Sequence, residues 1–518
     1  MKRTIAWVLV LSMLLSILPG IPLTAAASTA DDPNYIRYVS IRWGENGEYD
    51  WDAVFDHEQQ MEFYNNEHGL PAGVSYETGH LTLYNADLFE IVLDGWGTIP
   101  FHLEIIGDNT ISAQGLDTKA LEIRSCHDLT IDGGGRLSMT AEDLVFEYRD
   151  AIAGSWTQEN GEVNYENGLL TIRDVTIETR NARPTEVFNE DEGWRCGALS
   201  IEGNASLQDM NLTVEGHGGM NINGDLTIDG CTIDSTGLQY SFREVVVNNN
   251  EMSDGVYESN GIITNSTISL RDYGVNSNWM YHTVVMQPAS ELIIGEGADI
   301  TIDHTYHDER LAALVINDDW AGCGSGGSLR IEGGRLTIRS ADNSHPAVSI
   351  YNGTSWTQTG GEVIIETAHY NQPCIAVSTG GTMLQTGGSL RISNTHELVS
   401  PEDGFFAAAI EFYQKGRGIF SGGTMVANGD LIQAFRINGD VVFSGTELTL
   451  NARDTGLDLY DRANVKFIGG TMDITTQNSE NGAGINAGNG AGFTMAGSAS
   501  RWVTRRFSWR CQAVLTHQ

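Results

Sequence analysis

The feature that most limits what this chain can fold into is a repeated unit. A small residue followed by apolar-x-apolar occurs at Ala120-Leu121-Glu122-Ile123, Ala198-Leu199-Ser200-Ile201, Ala313-Leu314-Val315-Ile316 and Ala347-Val348-Ser349-Ile350. It returns at Ala376-Val377-Ser378, Ala409-Ile410-Glu411-Phe412, Ala434-Phe435-Arg436-Ile437 and Gly456-Leu457-Asp458-Leu459, with starts 34, 29, 33, 25 and 22 residues apart from Ala313 onward. A second signature is a glycine pair before an alternating segment, as in Gly333-Gly334-Arg335-Leu336-Thr337-Ile338 and Gly387-Gly388-Ser389-Leu390-Arg391-Ile392. A third short strand precedes the glycines, as in Leu329-Arg330-Ile331. Three period-2 strands per unit, divided by Gly/Asn/Asp turns, describe one coil of a solenoid. The expected fold is all-β, a right-handed parallel β-helix in which in-pointing Ile, Leu and Val stack from coil to coil. An antiparallel sandwich is the rival, but its strands need not recur in triplets.

The solenoid is expected over 103–497. Residues 1–27 read as a secretory signal peptide: Lys2 and Arg3 precede an apolar run from Ile5 to Leu18, and Ala25-Ala26-Ala27 offers a cleavage site. That run is short of the roughly 20 residues a membrane-spanning helix needs, so no membrane insertion is expected after cleavage. Residues 28–102 lack the glycine pairs and are expected to cap the open end, with Trp51, Val54, Phe55 and Met61 spaced for a short amphipathic helix over 51–66. Residues 498–518 turn abruptly basic and aromatic, and are read as an atypical tail from a frameshift or truncation, with a basic wall-polymer anchor as the alternative.

Charge narrows the partners. The chain has 29 Lys+Arg against 68 Asp+Glu, a net of −39, and phosphate backbones or anionic membranes repel such a field. Nucleic acid is excluded on that ground. Six cysteines without zinc spacing are expected to be structural thiols rather than disulfides. Nothing in the sequence sets the oligomeric state.

The run Gly218-Gly219-Met220-Asn221-Ile222-Asn223-Gly224-Asp225-Leu226-Thr227-Ile228-Asp229-Gly230 resembles the coil repeat of secreted bacterial carbohydrate-binding proteins of pectate-lyase-like β-helix fold. Gly107-Asp108-Asn109-Thr110-Ile111 and Asp128-Leu129-Thr130-Ile131-Asp132-Gly133 are similar to it too. The resemblance covers about 103–497. It implies a non-catalytic polysaccharide binder that holds calcium.

For catalysis, Gly216-His217-Gly218 and Asp318-Asp319 are similar to fragments of the polygalacturonase family. Their order is reversed, with the carboxylates several units after the histidine, so no catalytic residue is assigned. A lyase would need calcium-holding acids beside a base, a combination that Arg310 offers with Asp308, Glu309, Asp318 and Asp319, although 68 acids make some such cluster inevitable and a solvated coil edge is the plainer reading. For binding, Ser155-Trp156-Thr157-Gln158 and Ser355-Trp356-Thr357-Gln358 repeat, each followed by Gly-Glu-Val. Trp156 and Trp356 are read as sugar platforms and Gln158 and Gln358 as their hydrogen-bonding partners. The alternative is a tryptophan packed over a coil edge. Trp279 and Trp320 lie in pattern-breaking loops and join the candidates. Asp318 and Asp319, or Asn221, Asn223 and Asp225, are hard oxygen ligands suited to calcium, although Asn in coil turns also forms side-chain ladders. The reading is an exported polysaccharide binder at a bacterial surface. A lyase or hydrolase of pectin-like polymers is the first alternative, and a surface adhesin or spacer the second.

Overall fold

A computed structural model describes residues 36–517 except 45–50, 57–60, 65–68, 150–168, 183–196, 245–258, 273–282, 305–311, 317–325, 396–406 and shorter gaps of one to five residues. The described chain is all-β, and its parallel strands stack in register as a parallel β-helix. Each coil gives one strand to each of three sheets. A well-ordered coil reads Ser355–Gln358 in the first sheet, Glu362–Thr367 in the second and Ile375–Val377 in the third. Each pairs with its counterpart one coil on: Thr382–Gln385, Ser389–Asn394 and Ala408–Phe412. The small-apolar units of the sequence are third-sheet strands, and the glycine pairs turn the chain from the first sheet to the second.

That turn explains the glycines. Gly361 and Gly388 have φ of +65° and +68°, where only glycine is unstrained. A Cβ there would also come within 2.4 Å of Gly333 O and 2.3 Å of Gly360 O on the preceding coil. Two long strands, Asn211–Asn223 and Thr232–Glu244, run unbroken around the corner from second to third sheet. The Gly216-His217-Gly218 fragment lies inside the first of them. At Gly216 a Cβ would sit 2.9 Å from the Asn181 Cβ and 3.0 Å from the Ala198 Cβ.

The interior is one continuous apolar column. Near the C-terminal end it is aromatic: Phe420 stacks on Phe443 at 5.1 Å, and Phe412 and Phe435 meet Phe420 edge-on at 6.3 and 6.1 Å. Gly418 admits them, since a Cβ there would lie 2.7 Å from Phe412 Cζ. The middle coils are filled by aliphatic residues such as Met220, Ile268, Leu292 and Leu336, which leave an apolar cavity of about 30 Å³. Flexible or branched aliphatics stack less completely than rings, so a void in this stretch is the expected cost. Cys231 and Cys374 are buried free thiols. Burial pushes the Cys374 thiol up to about 12, which makes it inert.

The cap differs from expectation. In place of the helix expected over 51–66, the described residues there give the strands Trp51–Asp56 and Met61–Tyr64. Ile36–Trp43 pairs antiparallel with Glu90–Gly97, Trp51–Asp56 pairs with Ile36–Trp43, and Val74–Glu77 pairs with His80–Tyr84. Unpaired edges of the first coil supply backbone partners that a helix would leave unused, and Trp, Val and Phe suit strands. Parallel stacking also begins one coil early, at His80–Tyr84 rather than near Leu103. Beyond 497, Arg501–Thr504, Arg510–Cys511 and Thr516–His517 continue the three columns in parallel register. Residues 1–27 lie outside the described residues. Among the described residues no helix is long and apolar enough to cross a membrane.

Candidate functional site

The third sheet carries acids and bases at half-buried or buried outward positions toward its two ends, with uncharged buried residues such as Val315, Ser349 and Ala376 between them. Alternation forces this: in Ala408–Phe412, Ile410 and Phe412 point into the core, so Glu411 points out. Register then aligns Ser349, Ala376, Glu411, Arg436, Asp458 and Asn486 in one row. Arg436 Nη1 lies 2.9 Å from Glu411 Oε1. Asp458 accepts from Asn486 Nδ2 at 2.8 Å and from Gln433 Nε2 at 3.4 Å.

Beside this row runs another, two residues further along each strand and facing the same way. It holds Tyr351, Tyr413 and Tyr460, all half-buried, each backbone N–H bonded to the preceding coil. The tyrosines occupy every second rung, with Ser378 and Asn438 between them, so neighbouring tyrosine backbones stand roughly 9–10 Å apart. The Arg436 guanidinium lies 4.8 Å from the Tyr460 ring centre. Tyr351 hydrogen-bonds Ser349 and Tyr413, and burial raises its pKa. Burial also raises Glu411, against the opposing pull of Arg436, and raises Tyr460. The patch is thus dehydrated, aromatic and rich in planar hydrogen-bonding groups.

The same row near the N-terminal end has a different character. Glu122 and Glu147 are 5% and 2% exposed, and the Lys119 ammonium bridges both. Arg124 holds Glu122 and Arg149 holds Glu147, each at 2.6 Å, and Arg149 reaches Glu202 at 3.4 Å. Burial pushes Glu122 up, but hydrogen bonds from Lys119 and Arg124 outweigh it and leave the pKa lowered. Glu202 and Glu90 stay raised because burial prevails. Every acid here already has a basic partner.

The sequence candidates divide in two. Trp156, Gln158, Trp279, Trp320, Asp318 and Asp319 lie outside the described residues, as do Asp308, Glu309 and Arg310. Trp356 and Gln358 are corrections: both are 0% exposed. Trp356 sits in register with Leu329 and Met383, and Gln358 with Ile331 and Gln385, all in-pointing. Gln358 Nε2 donates to Ser389 O at 3.0 Å and Gly360 O at 3.3 Å, tying coil to coil. Neither side chain can meet a sugar.

Calcium fits no described set. Asp225 Oδ1 accepts the Asn260 N–H at 2.8 Å in a turn ladder, while Asn221 faces Ser200 on the third sheet at 3.5 Å. On the first sheet His80 and His102 stack at 4.5 Å, but each meets its own carboxylate, Glu104 at 3.3 Å and Asp132 at 2.6 Å. Among the described residues no group of three His, Cys, Asp or Glu could hold a metal ion. No protein-family model, curated protein or solved structure matches the chain.

Proposed function

We propose that this chain is an exported, non-catalytic polysaccharide binder that holds an extended glycan along the C-terminal half of its third sheet. The observation that carries the reading is the tyrosine row on alternate rungs beside the Ser349–Asn486 row. Sugar rings present C–H faces to aromatic rings and hydroxyls to planar polar groups; the tyrosines supply the first, and Glu411, Arg436 and Asn486, the half-buried members of the other row, supply the second. A spacing of roughly 9–10 Å between tyrosines suits alternate rings of an extended chain running along the solenoid axis. A rigid scaffold holds these groups in place before the ligand arrives, which reduces the ordering cost of binding. The apolar run and small residues of 1–27 support export.

A second reading rests on one specific feature. Glu411, with its raised pKa, and Asp458 lie two rungs apart with Arg436 between, roughly 9–10 Å at the backbone. That is near the upper end of the ~6.5–9.5 Å carboxyl separation of inverting glycosidases. Arg436 fills the space an attacking water would need, so binding is preferred.

The test is retention of the full chain on insoluble polysaccharides, with the supernatant assayed for released sugar. Retention without release supports the binder. New reducing ends on saturated products that vanish in Glu411→Gln would install the hydrolytic reading instead, and unsaturated uronides would mark a lyase. Repeating the assay with EDTA asks whether Asp318 and Asp319 hold calcium.

A further inference from the structure

The first-sheet face, on another side of the coil from the tyrosine row, has a row of its own that no binding role yet explains. In register along it stand Ile262, Ile293, Arg330, Thr357, Leu384, Ile419 and Val442. Ile262 and Ile419 are each 40% exposed. Flanking positions and turns carry Glu291, Glu332 and Asp440, balanced within this face by Arg330, Arg417 and Lys466, on a chain with a net of −39. That local balance limits the repulsion between two copies of an acidic chain at this face.

The row is also matched in apolar character about Thr357 at the second and third rungs, though not at the first. One rung before it is Arg330 and one rung after is Leu384; at two rungs stand Ile293 and Ile419, and at three Ile262 and Val442. A half-turn about an axis parallel to the strands and passing over Thr357 lays each rung before it on the matching rung after it in a second copy. Ile293 then meets Ile419, Ile262 meets Val442, and the Arg330 stem lies on Leu384. Two residues earlier on each strand the same operation sets Glu291 opposite Arg417 and Asn260 opposite Asp440, pairing opposite charge or amide with acid. No like charges are brought together along either row.

We infer that this face binds a second copy of the chain, forming a two-fold dimer centred on Thr357. The patch is about 30 Å by 13 Å, below the size of a stable specific interface, so association is weak and concentration-dependent. The dimer leaves both third-sheet faces open and doubles the glycan-binding surface.

Sedimentation of the full chain over a concentration series tests this, with far-UV circular dichroism confirming that each variant is folded. A dimer is expected, and Ile419→Lys should weaken it at least about tenfold. Glu291→Arg alone and Arg417→Glu alone should each weaken it, and the double swap should restore it, which a merely local role would not do. Thr357→Cys, on the axis, should form a disulfide-linked dimer on oxidation, while wild type and Thr449→Cys on the second sheet should not. A monomer at every concentration would overturn the proposal. So would a dimer indifferent to Ile419→Lys and to the charge swap, which would place the contact elsewhere.

Discussion

At Glu122 and Glu147 the outward rungs of the third sheet hold acids enclosed by Lys119, Arg124 and Arg149; at Glu411 and Asp458 the same strand positions hold acids set among tyrosines. The backbone is alike at both ends, so the difference lies in the side chains. In the first region opposite charges satisfy one another and nothing remains to contact a ligand. In the second, one guanidinium serves Glu411 and the Tyr460 ring while amides hold Asp458, and the half-buried Tyr351 and Tyr413 share a hydrogen bond beside them. On the proposed reading, the first region serves rigidity and the second recognition.

The comparison is broken most severely by Lys119→Met. Two buried carboxylates on adjacent coils would lose their shared ammonium, at about 3–5 kcal/mol. The urea midpoint should fall sharply, with glycan retention unchanged wherever the protein is folded. A midpoint within error of wild type would mean the network is not buried as described. Trp356→Ala should have a similar effect on stability, about 3–5 kcal/mol, because it opens a core cavity rather than removing a sugar platform. Loss of glycan affinity in the folded variant would reinstate Trp356 as a ligand contact.

Tyr413→Ala acts in the opposite sense. Its affinity for glycan should drop at least about tenfold while stability changes by no more than about 1 kcal/mol. Calorimetric titration and chemical denaturation on one sample separate the two effects.

Acidification gives the smallest and most discriminating contrast. Glu122 is lowered in the fold, so its stabilisation is present above the usual glutamate range and is lost as pH falls through its folded pKa. Glu411 is raised, so its contribution is fully present below that range and is lost as pH rises through its folded pKa. Glu122→Gln should therefore lessen the acid-side loss of stability, and Glu411→Gln the loss on raising pH from the acid side. Denaturation midpoints across mildly acidic pH measure both; identical pH slopes in the two variants would contradict the contrast.

Much of this was legible in the residues, for reasons that can be traced. Glycine pairs and period-2 segments specify a three-strand coil because the corner at Gly361 or Gly388 leaves no room for a Cβ. The cap was not legible: Trp51, Val54, Phe55 and Met61 fit a helical spacing, and only the open edge of Ile36–Trp43 decides for a strand. The inward parity of Trp356 was available, since Leu329 and Ile331 in the aligned segment are plainly core positions. The tyrosine row was closer still. The units Ser349-Ile350, Glu411-Phe412 and Asp458-Leu459 end one residue before Tyr351, Tyr413 and Tyr460. What no single unit shows is that these three stand on alternate rungs of one face, because that follows from the register of coils far apart in sequence.

The most direct test of the central claim is affinity as a function of glycan length, measured by titration of soluble oligosaccharides against wild type and Tyr351→Ala. The account predicts that affinity rises with each added sugar until the chain spans Tyr351 to Tyr460, roughly 19 Å, and then levels off. In Tyr351→Ala the plateau should come at a shorter chain. Affinity independent of length, or a length profile untouched by the substitution, would contradict a glycan lying along the third sheet.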